Sequence, residues 1–133
     1  MSPSSSSDTL VGLRLAIGLG SWLTPRVAGR LFGLDARSNP QLPYLARLFG
    51  ARDVALGAGI VLSEGESRSL WLQIGVACDV ADAVAGVAAG SRGYLGPVSA
   101  ALVTGTAVGA AALGMKALGA EEASPPVATP TSP

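Results

Sequence analysis

The chain contains no histidine and a single cysteine, Cys78. The first absence removes the commonest general base and metal ligand, and the second excludes an intrachain disulfide. Without histidine, a serine or cysteine nucleophile lacks its usual activating base. Aspartates alone resemble no transition-metal site. Charge is scarce as well: 14% of residues are charged, nine basic against nine acidic, where an average soluble domain carries about 25%. So few charges cannot coat a 133-residue sphere, because small domains have the largest surface for their volume. Aromatic residues make up 5% and interleave with no basic patch, which excludes nucleic acid as a partner. The glycines of GLRLAIGLGSWL have neither the spacing nor the preceding strand of a nucleotide-binding loop, so no cofactor is implied. No basic residue precedes the first apolar run in MSPSSSSDTL, so that run is expected to be retained rather than cleaved as a secretory signal. Cys78 lies in the apolar stretch GVACDVADAV. It reads as a small buried residue, since a reactive thiol needs an electropositive, accessible setting.

What the chain does have is apolar sequence. Hydrophobic residues make up 49%, glycines number 18, and the mean hydropathy is +0.47. Four apolar segments, at about 9–23, 42–62, 70–89 and 94–118, are separated by turn signals. Segments of about 20 residues match the hydrocarbon thickness of a bilayer. Asp8 is a candidate N-cap for the first, which meets Pro25 as a kink or an end. A soluble four-helix bundle is the alternative, but its helices show a polar face every 3.6 residues. The fourth segment has no charge from Tyr94 to Met115. The expected fold is therefore all-α: a four-helix transmembrane bundle, multi-pass in the cell membrane. The long connection 24–41 places Val27, Leu31 and Leu34 on one side and Arg26 and Arg30 on another, which suits a short interfacial helix. Residues 1–8 and 119–133 are serine- and proline-rich and read as disordered tails. Trp22, Tyr44, Trp71 and Tyr94 each fall at a segment edge, as interfacial aromatics do. Arg26, Arg30, Arg37 and Arg92 oppose Arg68 and Lys116, a bias that puts the first and third connections on the cytoplasmic side.

Apart from Lys116 near the end of the fourth, six charged residues fall inside these segments: Arg14, Arg47, Arg52, Asp53, Asp79 and Asp82. Each costs about 2.5–3.5 kcal/mol at a spanning helix centre, or about 15–20 kcal/mol for six left unpaired, more than a typical domain's stability. They must be paired, hydrated, neutralised or near an interface. A short 63–69 connection makes the second and third segments an antiparallel hairpin centred near Glu66. Asp53 then lies level with Asp79, Arg52 with Val80, and Asp82 within one turn; counting from the first connection puts Arg14 at the same depth. Arg47 is close enough to its segment's start for the side chain to reach the interface. Ala46, Gly50, Asp53 and Gly57 share one helix face, and Gly75, Asp79, Asp82, Gly86 and Gly90 share another. Stripes of small residues allow close helix approach in lipid, as the Gly86/Gly90 and Gly105/Gly109 spacings also do. The acids are thus expected to face other helices, with Arg52 as their counter-ion. Two readings follow: an ion-pair network that fixes register, or a polar cavity in which three acids against two arginines leave one acid free for a proton or cation. Asp79 and Asp82 at i, i+3 also have the spacing for acid–base work, although that spacing is common.

A first apolar span ending Trp22-Leu23-Thr24-Pro25, then Arg30-Leu31-Phe32-Gly33-Leu34, then Phe49-Gly50-Ala51-Arg52-Asp53, then the Asp79/Asp82 pair resemble an uncharacterised family of small four-span bacterial membrane proteins. In layout they resemble the DoxX-like membrane proteins. The resemblance covers about 10–118 and implies the four-helix membrane fold, with Arg52 and Asp53 as a motif and no catalytic residues. The function expected is that of a structural or accessory membrane component, with the bilayer and a second copy or another membrane protein as partners. The alternatives are a proton- or ion-coupled carrier of a small solute, or a membrane enzyme subunit acting on a lipophilic substrate.

Overall fold

The computed structural model describes residues 3–124, and every regular element among them is helical: α1 (Pro3–Leu23), α2 (Pro25–Leu31), α3 (Leu42–Leu62), α4 (Gly65–Ser91) and α5 (Pro97–Glu122). α4 and α5 are long and apolar enough to cross a membrane. α1 and α3, at 21 residues each, are diluted by a serine-rich start and by Arg47, Arg52 and Asp53 respectively. α1 packs mainly on α3 and α4 mainly on α5, while α1–α5 and α3–α4 contacts join the two pairs.

Several boundaries differ from those the sequence suggests. α1 starts at Pro3, so most of the expected N-terminal tail is helix, and Asp8 lies inside the helix instead of capping it. Proline is well suited to a helix's first position, where its missing N–H would be unpaired anyway. Ser6 and Ser7 are buried, because small side chains there let the first turns dock. α4 begins five residues before the expected span and α5 runs on to Glu122. The rest of the expected C-terminal tail, 125–133, lies outside the described residues, as do residues 1 and 2. α2 occupies the first connection as expected, and its chain turns away at Gly33 (φ +72°), with the Leu34 N–H donating to the Gly29 carbonyl at 2.8 Å. Left-handed backbone of this kind favours glycine.

The apolar core gathers at one end. Leu10, Ile60, Leu72, Ala110 and Ala117 form it, with Trp71 packed against them. Trp71 is thus half-buried against the core, whereas Trp22, Tyr44 and Tyr94 are exposed. At this same end Arg68 ties the helices together. Its Nε donates to Glu121 Oε1 and its Nη1 to the Ile60 carbonyl, both at 2.6 Å. Its Nη2 donates to Ser7 Oγ, and Ser69 donates to Glu121 Oε2 at 2.9 Å. The clasp joins α1, α3, α4 and α5. At the opposite end Ser99 Oγ donates to the Gly33 carbonyl at 2.9 Å, linking α5 to the turn after α2.

Charge sorts along the helices. Arg26, Arg30, Arg37, Arg47 and Arg92 against Asp35 give the α2 end a net charge of +4. Asp8, Glu64, Glu66, Glu121 and Glu122 against Arg68 and Lys116 give the clasp end −3. The remaining five charges lie between.

Candidate functional site

Those five form one chain of alternating sign. On α1, Ser7, Leu10, Arg14, Gly18 and Ser21 are buried at spacings of three and four, one helix face turned inward. Arg14 stands in the middle of it. Its Nη2 donates to Asp79 Oδ2 at 2.6 Å and its Nη1 to Asp79 Oδ1 at 3.4 Å. The same Nη1 reaches Asp53 Oδ1 at 3.4 Å. From the other side Arg52 Nη2 contacts Asp53 Oδ1 at 3.5 Å. Arg52 also grips Asp82 at two points, Nη1–Oδ1 at 3.0 Å and Nη2–Oδ2 at 2.6 Å. The order is Asp79, Arg14, Asp53, Arg52, Asp82, and it crosses α4, α1 and α3 before returning to α4.

Glycines make the room. A Cβ on Gly75 would stand 2.8 Å from Arg14 Nη2, and one on Gly57 would press against Leu15 and the Arg14 stem. Gly18 and Gly50 bring α1 and α3 into backbone contact: a Cβ on Gly18 would lie 2.8 Å from the Gly50 carbonyl oxygen. Gly86 receives Thr104, and a Cβ on Gly90 would stand 2.8 Å from the Ala100 Cβ of α5. Gly105 and Gly109 differ from these: no atom of the described residues would meet a Cβ on either, so their spacing packs none of the described helices.

The chain of charges runs from dry to open. The Arg14 and Asp79 side chains are 2% and 5% exposed, while Arg52 and Asp82 are 31% and 32% exposed. Arg52 also lies over the Phe49 ring, 4.5 Å from its centroid, a cation–π contact. Paired bonds from a planar guanidinium to a carboxylate are among the strongest hydrogen bonds a protein makes. Arg14 and Arg52 are each left with one buried donor, Nε, that finds no acceptor among the described residues.

No protein-family model, curated protein or solved structure matches the chain. What the site can do must therefore be read from its own geometry. All five residues expected at one depth come together, but their partners differ from the expectation. Asp79 is held by Arg14, not by Arg52, and none of the three carboxylates of this layer is left free, because Asp53 shares both guanidiniums. Arg47 instead donates through Nε to the Trp22 carbonyl at 3.2 Å, at the α2 end. Two contributors escaped the sequence reading. Gly18 was legible as the residue four after Arg14 on the same face. The Ser7–Arg68–Glu121 clasp carried no pattern signal, since its serine and its glutamate lie in stretches whose composition looks unstructured.

Proposed function

We propose that this chain is a four-span protein of the cell membrane, acting as a structural or accessory component rather than an enzyme. In this reading the Arg/Asp chain fixes helix register at mid-depth. The observation that carries it is that all three intramembrane carboxylates contact arginine, two of them in two-point pairs. The length of α1 and α3, about 31 Å at 1.5 Å per residue, suits the hydrocarbon core of about 30 Å. Exposed Leu19, Val61, Val84, Val87 and Val108 give the helices the outer surface that lipid requires. Retained buried pairs specify geometry in some proteins without adding net stability.

Two measurements test the reading. In a Cys78→Ala background, Ser38→Cys and Ser91→Cys should label from one side of the membrane in intact cells, and Ser67→Cys from the other. Labelling of all three from a single side would overturn the four spans. In detergent, a double-mutant cycle with Arg52→Gln and Asp82→Asn should return a coupling of about 0.5–3 kcal/mol; zero coupling would remove the register role. A second reading, a proton- or ion-coupled carrier of a small solute, is favoured by the opening of the Arg52–Asp82 end. It requires that Asp82→Asn fold normally and lose a pH-dependent flux in vesicles, and an unchanged flux would eliminate it.

A further inference from the structure

Three of the nine basic residues, Arg14, Arg52 and Arg68, have carboxylate partners. Among the described residues Arg26, Arg30, Arg37, Arg47, Arg92 and Lys116 have none, and the five arginines among them all stand at the α2 end. Two clefts adjoin there and share Arg26. One, of about 410 Å³, is lined by Leu23, Pro25, Val27 and Pro43 together with Arg26 and Arg47. The other, of about 260 Å³, is lined by Arg26, Arg30, Arg37, Asp35 and Ala36. Asp35 accepts from the Arg37 backbone N–H at 3.0 Å, and three arginines against this one carboxylate line the cleft. Leu23 and Leu31 beside the clefts are 71% and 73% exposed.

We propose that this double cleft binds an anionic phospholipid. Its phosphate occupies the polar cleft between Arg26, Arg30 and Arg37, and an acyl chain follows the apolar cleft along Leu23, Val27 and Pro43. The proposal rests on the membrane reading above. Three arginines with no committed partner call for an anion, and the adjoining apolar wall calls for a hydrocarbon chain on the same molecule. A free phosphate would satisfy the first and leave the second exposed. The location fits too, because by the positive-inside rule an arginine-rich end faces the cytoplasmic leaflet, which is rich in anionic lipids. α2 holds the two clefts together, with Pro25 and Gly29 buried and Arg26, Val27, Arg30 and Leu31 exposed.

The full chain in mild detergent, titrated with phosphatidylglycerol or with phosphatidylcholine of the same acyl chains, tests this by native mass spectrometry. Retention of phosphatidylglycerol over phosphatidylcholine is expected. A phosphate-facing arginine near a membrane surface contributes about fivefold in binding, so Arg26→Gln with Arg30→Gln should weaken retention roughly thirtyfold, about 2 kcal/mol. Arg26→Lys with Arg30→Lys should keep most of the preference, and Lys116→Gln at the opposite end should keep all of it. Helix content by circular dichroism separates lost binding from lost folding. Equal retention of both lipids, or loss with Lys116→Gln equal to that with the arginine pair, overturns the site. Inorganic phosphate that displaces the lipid completely at comparable concentration would overturn the lipid as occupant. Recovery of the chain in soluble form without detergent would overturn the membrane reading itself, whereas a detergent-requiring chain with no lipid preference overturns only this site.

Discussion

Arg14 reaches two helices from a third, donating to Asp79 on α4 and Asp53 on α3 while only 2% of its side chain is exposed. Removing it leaves two carboxylates without their main counter-ion in a dry setting, and breaking a buried pair from one side costs about 3–5 kcal/mol. Arg14→Met should therefore lower the unfolding midpoint in detergent far more than Arg52→Gln, whose pair is about one-third exposed and so better screened. Equal losses at the two positions would contradict the gradient from dry to open. Arg14→Met combined with Asp53→Asn and Asp79→Asn should recover part of the loss, because no buried charge then lacks a partner. The membership of this layer was legible in the sequence, since hairpin counting fixes depth. The partners were not: depth says nothing about how α1 is rotated, and that rotation decides whether Arg14 or Arg52 meets Asp79.

Among the helices, glycine position distinguishes contact from free surface. Gly50→Val would drive a side chain into the backbone of α1 at Gly18 and Trp22, and overpacking of this kind costs about 1–3 kcal/mol. A Cβ at Gly105 or Gly109 meets nothing among the described residues, so Gly105→Leu and Gly109→Leu should leave the unfolding midpoint unchanged. If they alter the oligomer profile in mild detergent, that face of α5 is an association surface; a destabilised monomer would contradict the packing described. The number and order of long helices followed from apolar runs and turn residues. Their ends did not, because composition treats Ser4–Ser7 and Gly119–Glu122 as solvent-loving segments. A single arginine at position 68, bonded to Ser7 and Glu121, changes the outcome for both. Arg68→Ala should accordingly raise hydrogen exchange in the first two turns of α1 and the last turn of α5, leaving the middle of both helices protected. Uniform protection would mean the clasp holds nothing.

Across the whole molecule, charge divides into a positive end, a negative end and a nearly neutralised middle, with five arginines at one end against one arginine and one lysine near the other. Arg47 joins the α2 end through its bond to the Trp22 carbonyl, which adds to the positive side under the membrane reading proposed above. α5 takes part in none of the mid-depth ion pairs. Its polar ties are at its extremities, Ser99 to Gly33 and Glu121 to Arg68 and Ser69; between them it rests on α4 and α1 through apolar and small-residue contacts, Leu113 and Leu118 among them. The result is an order of mechanical failure. Pulled from its C-terminus, the protein should release α5 first, as one step of 26 residues, once two end fastenings give way. The other long helices, riveted to one another by Arg14 and Arg52, should then part together at higher force.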